Sequence, residues 1–391
     1  MKLNSLSNEK GTILLSVMGF VIALFIAGVA ANNNVNLDIA NSVNNLSSTQ
    51  SLYIAEAGLE RAKGELVSRY IAVNWNSFNT VLSSGILSFG DNVTFHGGTY
   101  SVRIVNDTKD PNPYNDTNNS VTIESTGIFK KSITRLRMTI VMNKVPKMQG
   151  SVTLLGEADT LFNGTSFSID GRDYRFSDSS TPTGTDNQYA IITQDGNSKL
   201  DVINSMSDDQ KTNLNGLGYD TSASPVTPSV GVSTSMTIDD VKLFINLMKN
   251  VADSKLINPD SLDGVDLGSV LAPKITYITS TDSTPIKVNG NTTGAGILVV
   301  EGGNLEITIN GNMSWTGIII VSGYSVGFKE TGSGQVKGGI VVLENNNPDV
   351  NKELEVGGNF LIKFSSEAIA MANNMVLNRQ KYSIVSWQRV S

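Results

Sequence analysis

The sequence contains one long apolar segment close to its amino terminus. Residues Thr12–Ala31 read TILLSVMGFVIALFIAGVAA and include no charged side chain. Because an α-helix rises ~1.5 Å per residue, a helix of this length extends about 30 Å, the thickness of the hydrocarbon core of a bilayer. The segment therefore predicts a single membrane-spanning helix, which limits the chain to folds that leave one apolar helix outside the globular body.

The charges on either side of this segment orient it. Lys2 and Lys10 precede the apolar run, whereas no Lys or Arg follows it closely. Since basic residues flank the cytoplasmic side of a membrane helix, we expect the carboxyl-terminal part to lie outside the cytoplasm. The alternative is a cleaved secretory signal, because Ala27–Ala31 contains small residues of the kind found at signal cleavage sites.

The composition excludes several kinds of chemistry. The length of 391 residues fits two or three domains, or one domain plus an elongated appendage. With 39% hydrophobic and 17% charged residues, the chain is neither disordered nor a multi-span membrane protein. The chain has no Cys and a single His, His96, so disulfides, thiolate nucleophiles and multi-His metal sites are excluded. A net charge of -7 argues against a nucleic-acid partner. We expect no enzyme activity, no cofactor and no resident metal.

A second helical segment follows the apolar run. Residues 50–70 are rich in Ala, Leu, Glu, Arg and Lys, which favour helix. Apolar residues recur there at spacings of three and four and form one face, namely Leu52, Ala55, Leu59, Ala62 and Leu66. The membrane helix is therefore expected to continue outward as an amphipathic helix.

These two segments resemble a known family. The string NEKGTILLSVMGF is similar to the class III leader of type IV pilins, and YIAEAGLERAK at 53–63 resembles the corresponding segment of PilX-type pilus assembly proteins, a group of minor pilins. The resemblance implies cleavage by prepilin peptidase between Gly11 and Thr12, followed by N-methylation of Thr12. It also implies an inner-membrane precursor, assembly with other major and minor pilins, and a final location in a pilus or at the cell surface.

One position departs from the family pattern. Most major pilins have Glu as the fifth residue of the mature chain, whereas this sequence has Ser16. A carboxylate at the centre of a membrane helix costs about 2.5–3.5 kcal/mol and needs a partner, which the family finds in the amino terminus of the subunit ahead. Ser16 therefore favours a tip-located or priming subunit. The alternative is that this residue varies within the family without any relation to the place of the subunit in the filament.

The whole chain contains 36 glycines and 10 prolines, and its part after the helical segments has the composition of turn-rich β structure. Strand patterns occur at 97–105, 120–124 and 132–142 and predict a small antiparallel sheet. Further on, the runs that start at Gly296, Gly317 and Gly339 share one Gly-Ile-aliphatic pattern. Second strands lie between these runs at 304–310 and 324–329, with partial repeats at 285–289 and 353–362. Such a repeat predicts a β-solenoid in which each coil packs on the next.

The predicted fold class is α+β: a long amino-terminal pilin-like helix with a small antiparallel sheet, then a mainly β domain containing a parallel β-helix-like region. The predicted boundaries are a leader at 1–11, a transmembrane helix at 12–31, an extended amphipathic helix at 32–73, a pilin-like β head at 74–145, a mixed β/α linking domain at 146–270, and a solenoid-like domain with a carboxyl-terminal helix and strand at 271–391. Within the linking domain, a capping box at 237–240 precedes an apolar stripe that predicts a core-facing helix, and 177–187 and 222–233 are predicted loops.

Candidate chemical sites are weak. Glycoside cleavage needs two carboxylates that flank the bond, and the acids of the repeat region do not fall on consecutive rungs: Glu301 precedes Ser322 by one rung. His96 beside Gly97 is interpreted as a turn residue. Two oxygen-rich loops lack the EF-hand spacing, so solvated turns are favoured over calcium sites. Their residues are Asp107, Asp110, Asn112, Asn115 and Asp116 in the first loop, and Asp260, Asp263 and Asp266 in the second.

Three hypotheses for function follow. The first is a non-enzymatic minor pilin or assembly protein that primes or caps a type IV pilus-like filament and displays a β-rich domain. The second is a tip adhesin that binds a glycan or a surface. The third is an unprocessed single-pass envelope protein.

Overall fold

The chain forms two compact units, which this computed structural model describes over residues 7–68, 78–85, 87–107, 110–143, 145–156, 159–176, 180–279, 287–288, 291–302, 305–309, 312–323, 326–330, 333–344, 354–380 and 382–390. One unit comprises Met1–Met142 with Ser383–Ser391, and we call it the helix–sheet unit. The other comprises Asn143–Tyr382, and we call it the solenoid unit. Helices and strands are both abundant, and the predicted α+β class is confirmed.

The helix–sheet unit consists of one long helix on an antiparallel sheet. Its elements are α1 (Ser7–Leu66), α2 (Asn79–Ser84), β1 (Val93–Phe95), β2 (Gly98–Asn106), β3 (Ser120–Phe129) and β4 (Ser132–Met142), together with the last strand of the chain, β22 (Tyr382–Val390). The sheet order is β1-β2-β3-β4-β22. The predicted boundary at residues 73 and 74 lies outside the described residues.

The carboxyl-terminal part of α1 packs on this sheet through its predicted apolar face. Ala55, Leu59, Ala62 and Leu66 are buried, and Leu52 is partly buried, which confirms the amphipathic pattern. On β4, alternate side chains face the helix and are buried, as the period of a half-buried strand requires.

The last strand pairs with a distant part of the sequence. β22 lies next to β4 in the sheet, although the solenoid unit separates them in the chain. The sequence analysis assigns this strand to the domain at 271–391, whereas the structure places Ser383–Ser391 in the helix–sheet unit. A strand pattern indicates that a segment pairs, but the partner depends on tertiary contacts.

Within the described residues, the solenoid unit is built from strands of 2 to 12 residues and four helices. The elements of its first part are β5 (Gly150–Leu155), β6 (Thr160–Asn163), β7 (Ser168–Asp170), β8 (Tyr189–Thr193), α3 (Gly196–Asn204), α4 (Asp208–Lys211), β9 (Leu214–Asn215), β10 (Val230–Val232) and α5 (Ile238–Val251). Those of its second part are β11 (Ser254–Ile257), β12 (Gly268–Ser269), β13 (Ala272–Thr279), β14 (Lys287–Val288), β15 (Asn291–Glu301), β16 (Leu305–Ile309), β17 (Asn312–Gly323), β18 (Val326–Glu330), β19 (Ser333–Glu344), β20 (Leu354–Gly357), β21 (Asn359–Phe364) and α6 (Ser366–Arg379).

Successive coils of this unit stack in parallel. One stack runs β10-β8-β5-β19-β17-β15-β13-β11, and a second runs β14-β16-β18-β20-β6. Each predicted repeat segment contains a strand within its described residues. The predicted alignment of the third repeat is wrong by one residue. The structure pairs Gly317 with Gly338, whereas the sequence pattern pairs it with Gly339. A shift of one residue reverses which side chains point inward, so the buried positions decide the register.

A column of glycines explains how the long strands bend. Gly296, Gly317 and Gly338 have φ values of 122°, 134° and 136°, which side-chain-bearing residues rarely adopt. A Cβ on Gly317 would collide with the carbonyl oxygen of Gly296, and a Cβ on Gly338 with that of Gly317. The bend directs the two halves of each strand to different neighbours: in β19, the first half pairs with β21 and the second half with β5.

Two helices cover the outer side of the larger stack. The interior contains Leu298, Ile319 and Ile340, whereas the outward side chains Val299 and Ile320 pack in a second core. That second core includes Val241, Phe244, Ile245 and Met248 of α5, and Ala372, Met375 and Val376 of α6. The predicted capping box and core-facing helix at α5 are thereby confirmed. The strands read as unbroken aliphatic runs because both of their sides are buried.

The unit begins and ends in the middle of its own stack. β5, the first strand, lies next to β19, one of the last. At the two ends of the unit, Asn143 Nδ2 donates to the carbonyl oxygen of Gln380 at 2.9 Å, and the Val145 amide donates to Asn373 Oδ1 at 3.0 Å. The predicted loop at 222–233 is partly strand, since β10 lies within it.

Candidate functional site

Residues 13–31 of α1 present an exposed surface that is almost entirely apolar. Leu14, Phe20 and Phe25 are 70%, 66% and 72% exposed, and the described side chains from Ile13 to Leu46 are all exposed. α1 is long and apolar enough to cross a membrane by length and composition. The backbone of Gly11 and Thr12 lies in this helix, and Ser16 follows about one turn later with an exposed side chain.

The carboxyl-terminal half of α1 approaches the sheet unusually closely. A Cβ on Gly127 of β3 would collide with the Ser51 carbonyl oxygen and the Ala55 amide, and a Cβ on Gly58 would collide with Ser125 Oγ. Ser51 Oγ shares a hydrogen bond of 2.8 Å with Thr134 Oγ1. Glycine and alanine in the segment at 53–63 therefore allow backbone-to-backbone packing. In sequence, this segment carries the family resemblance, and no local pattern predicts its contact with Gly127.

A polar groove lies on the outer side of the solenoid unit. It has a volume of about 700 Å³ and crosses β15, β17, β19 and β21. Its lining residues are Ser166, Asn291, Thr293, Asn312, Met313, Ser314, Gly334, Gln335, Asn359 and Leu361. The strand register aligns Asn291 with Asn312 and Thr293 with Ser314, so like side chains stand one above the other. From sequence, the residues of this groove are not predicted to form a site, although outward Asn, Thr and Ser at alternate positions in each repeat are the signal for it.

Two acids of the oxygen-rich loop at 107–116 accept hydrogen bonds from nearby backbone amides. Asp116 accepts hydrogen bonds from the backbone amides of Phe78, Asn118 and Ser120, at 3.2–3.3 Å. Burial raises the pKa of the Asp116 carboxyl above its usual range. Asp110 accepts from the amide of Thr117 at 3.1 Å. The expectation of solvated turn residues is wrong for this pair, because both side chains are buried and serve as internal acceptors.

The second oxygen-rich loop is also tied by local contacts. Asp266 accepts from the Gly268 amide at 3.1 Å and forms an ion pair with Lys274, which holds the pKa of its carboxyl below the usual range. Asp263 accepts from Thr292 Oγ1 at 3.2 Å, and Asp260 is exposed. Within the described residues, the structure places no three His, Asp or Glu side chains together as a metal site.

His96 occupies a tight turn, as predicted. It has a φ of 45° and Gly97 a φ of 79°, and these two residues join β1 to β2 with Phe95 opposite Gly98. Positive φ at both positions is the signature of a type I′ hairpin. The His96 ring packs edge-on against Phe95, with the ring centroids 4.5 Å apart.

Among the acids of the repeat region, Glu301 and Glu355 have described side chains. Glu301 lies opposite Ser322, as the sequence indicates, accepts a hydrogen bond from Tyr277 and lies 3.6 Å from Lys249 Nζ. Glu355 accepts from Asn163 Nδ2 at 2.5 Å. These two carboxylates therefore have structural partners. The other acids of this region have side chains that lie outside the described set.

Comparisons with known proteins add little. No protein-family model matches the sequence, and no curated protein matches it. Among solved structures, the chain is similar to the competence-associated pilin ComZ from Thermus thermophilus, with 12% sequence identity and a TM-score of 0.30. The match covers 88% of this chain and 98% of that chain. A similarity of this size does not establish a common fold or function.

Proposed function

We propose that the chain is a non-enzymatic accessory subunit of a type IV pilus-like filament. In this proposal it is a minor pilin or pilus assembly protein that prepilin peptidase cleaves between Gly11 and Thr12 before the new terminus is N-methylated. It is held in the inner membrane before assembly and contacts other major and minor pilins afterwards.

The observation that carries the proposal is the division of α1 into two halves. Residues 13–46 are exposed and largely apolar, whereas the last turns pack on the sheet of the same unit. A continuous helix of this kind suits a subunit that keeps an apolar surface in the bilayer and later buries that surface among neighbouring helices. A soluble protein would gain nothing from such a surface, because exposed apolar area in water is unfavourable.

Two features support a position at the tip of the filament. Ser16 replaces the carboxylate that pairs with the subunit ahead, so a subunit with no neighbour in front loses no interaction. The chain also inserts residues 143–382 between two neighbouring strands of the helix–sheet unit. An insertion larger than the unit that carries it is difficult to repeat along a closely packed shaft.

The processing step is tested by mass spectrometry of the amino terminus of protein from native membranes. We expect an N-methylated Thr12. A Gly11→Val variant should retain residues 1–11, whereas a Gly19→Val variant, in the same helix with open space around Gly19, should be processed normally. An intact Met1, or a terminus after Ala31, would overturn the proposal in favour of an anchored envelope protein or a secreted one.

The position in the filament needs a separate experiment. We expect gold-labelled antibodies against the solenoid unit to bind one end of isolated filaments, and a deletion strain to produce few filaments. Labelling along the whole shaft would contradict the tip position. Intact filaments that no longer attach to surfaces would favour the adhesin hypothesis over a priming role.

A further inference from the structure

The polar groove differs from the rest of the solenoid surface. In the second halves of the long strands, outward side chains such as Val299 and Ile320 are aliphatic, and α5 and α6 cover them. Along the groove, the outward side chains of Asn291, Thr293, Asn312 and Ser314 are exposed. Amides and hydroxyls in these positions do not contribute to a core, so their repetition has to be explained by solvation or by a ligand.

The strand register arranges these groups as ladders. Asn312 Nδ2 donates to Asn291 Oδ1 at 3.0 Å, which fixes the orientation of the two amides. An Asn amide has two donors and two acceptor sites, so this one bond does not use the full hydrogen-bonding capacity of Asn291 and Asn312. Thr293, Ser314 and Gln335 form the adjacent ladder and add groups that both donate and accept. Such a surface is complementary to a ligand whose own groups both donate and accept hydrogen bonds.

Charge and spacing restrict the ligand further. Every described side chain that lines the groove is uncharged, although the chain has a net charge of -7. An ionic ligand would find no countercharge in this lining. Neighbouring strands lie about 4.7–4.9 Å apart, which is close to the length of one sugar ring in an extended chain. The ladders repeat once per strand, so an extended ligand matches successive rungs and a strongly curved one does not.

We propose that the groove binds an extended, neutral, β-linked oligosaccharide, with about one sugar unit per coil. The hydroxyls of each unit exchange hydrogen bonds with Asn291, Asn312 and Asn359 on one side and with Thr293, Ser314 and Gln335 on the other. Leu361, which is partly buried, offers an apolar contact for a sugar ring. The inference depends on the solenoid unit alone, so it can hold whether or not the chain is processed as a pilin.

The test uses the full-length protein in a detergent without a sugar headgroup, because such headgroups would compete for the groove. Isothermal titration calorimetry measures binding of β-1,4-linked N-acetylglucosamine and β-1,4-linked glucose oligomers, with curved α-1,4-linked glucose oligomers and anionic polygalacturonate as comparison probes. We expect at least one extended neutral probe to bind, and the curved and anionic probes to bind at least about tenfold more weakly.

Matched variants locate the binding. Thr293→Trp fills the groove, whereas Thr185→Trp places the same residue at an exposed position of the solenoid unit that does not line it. We expect about a tenfold or larger loss of affinity in the first variant and none in the second. Asn312→Ala, which removes one rung of the amide ladder, should also weaken binding and keeps the test decisive if Thr293→Trp does not fold.

No binding of the extended neutral probes by the folded protein, equal affinity in Thr293→Trp or Asn312→Ala, or tighter binding of the curved or anionic probes would each overturn the proposal. None of these results bears on processing at Gly11.

Discussion

At the scale of single residues, the glycine column is the strictest requirement of the solenoid unit. Gly296, Gly317 and Gly338 each combine a strongly positive φ with a backbone carbonyl of the preceding coil where a Cβ would lie. Strain at such a position costs about 1–3 kcal/mol even without a clash. The preceding coil is part of a hydrogen-bonded strand, so its carbonyl cannot move away without a cost in free energy.

We expect Gly317→Ala to lower the free energy of unfolding of the solenoid unit by at least about 2 kcal/mol. Gly196→Ala is the matched control, because Gly196 lies at the start of α3 with open space around its Cα and no positive φ. The control should leave stability nearly unchanged. Urea unfolding followed by circular dichroism measures both variants. Similar unfolding midpoints would contradict the role of the glycine column.

Asp170 is a second residue with a specific stabilising role. The side chain is 3% exposed and accepts hydrogen bonds from Arg172 Nε at 2.9 Å and from the Tyr174 hydroxyl at 2.6 Å. Burial raises the pKa of the Asp170 carboxyl, but the bonds from Arg172 and Tyr174 outweigh burial, and its pKa lies below the usual range. Burial and the hydrogen bond to Asp170 raise the pKa of Tyr174.

We expect Asp170→Asn to destabilise the protein by about 2 kcal/mol at neutral pH, since hydrogen bonds to charged groups are worth about 1.5–3 kcal/mol. A lowered folded-state pKa contributes stability above the unfolded-state pKa, and that stability is lost as pH falls through the folded-state value. The difference from the original protein should therefore shrink in acid. Thermal unfolding at neutral and acidic pH measures it, with the exposed Asp201→Asn as control. A difference that stays constant with pH would refute the ionic contribution.

At the scale of elements, α5 and α6 shield the outward aliphatic side chains of the larger stack from water. Unbroken aliphatic strands such as Ile297–Val300 would otherwise expose half of their side chains. α5 begins at a capping box formed by Thr237 and Asp240, and it presents one buried stripe to the sheet. The helix is thus fixed by its cap at one end and by packing along its length.

Two neighbouring residues of α5 test this cover. Ile245 is 2% exposed and packs in the second core, whereas Leu243 is 64% exposed. We expect Ile245→Ala to cost about 3 kcal/mol, within the range measured for buried aliphatic truncations, and Leu243→Ala to cost very little. Urea unfolding of both variants measures the difference. An equal cost for the two substitutions would mean that α5 does not pack on the stack as described.

At the scale of the whole molecule, the chain leaves the helix–sheet unit after β4 and returns to it at β22. The solenoid unit makes this possible because its two ends lie side by side, joined by the bonds Asn143–Gln380 and Val145–Asn373. Adjacent termini are the usual condition under which one domain tolerates insertion into another.

We expect the helix–sheet unit to fold when a short Gly/Ser linker replaces residues 143–382. A second variant that ends at Met142 lacks β22 and leaves β4 as an unpaired edge strand, so it should melt at a lower temperature or aggregate. Both variants are made without residues 1–31 and compared by thermal unfolding. Equal melting temperatures would show that β22 contributes nothing to the sheet.

The sequence by itself determines the features that depend on local periodicity. The apolar run predicts the exposed part of α1, spacings of three and four predict its packed face, and His96–Gly97 predicts a tight turn. Alternating and repeated aliphatic patterns likewise predict the strands of both units. Each of these signals lies within a few neighbouring residues, where backbone geometry and burial act directly on the pattern.

Pairing between distant segments is decided by the tertiary structure. Nothing local indicates that β22 joins β4, that β5 stacks beside β19, or that Gly338 rather than Gly339 continues the glycine column. The polar groove follows from the same register, because side chains from four strands meet there. A strand pattern specifies which residues can be buried, whereas the choice of partner and register is set by the free energy of packing the whole chain.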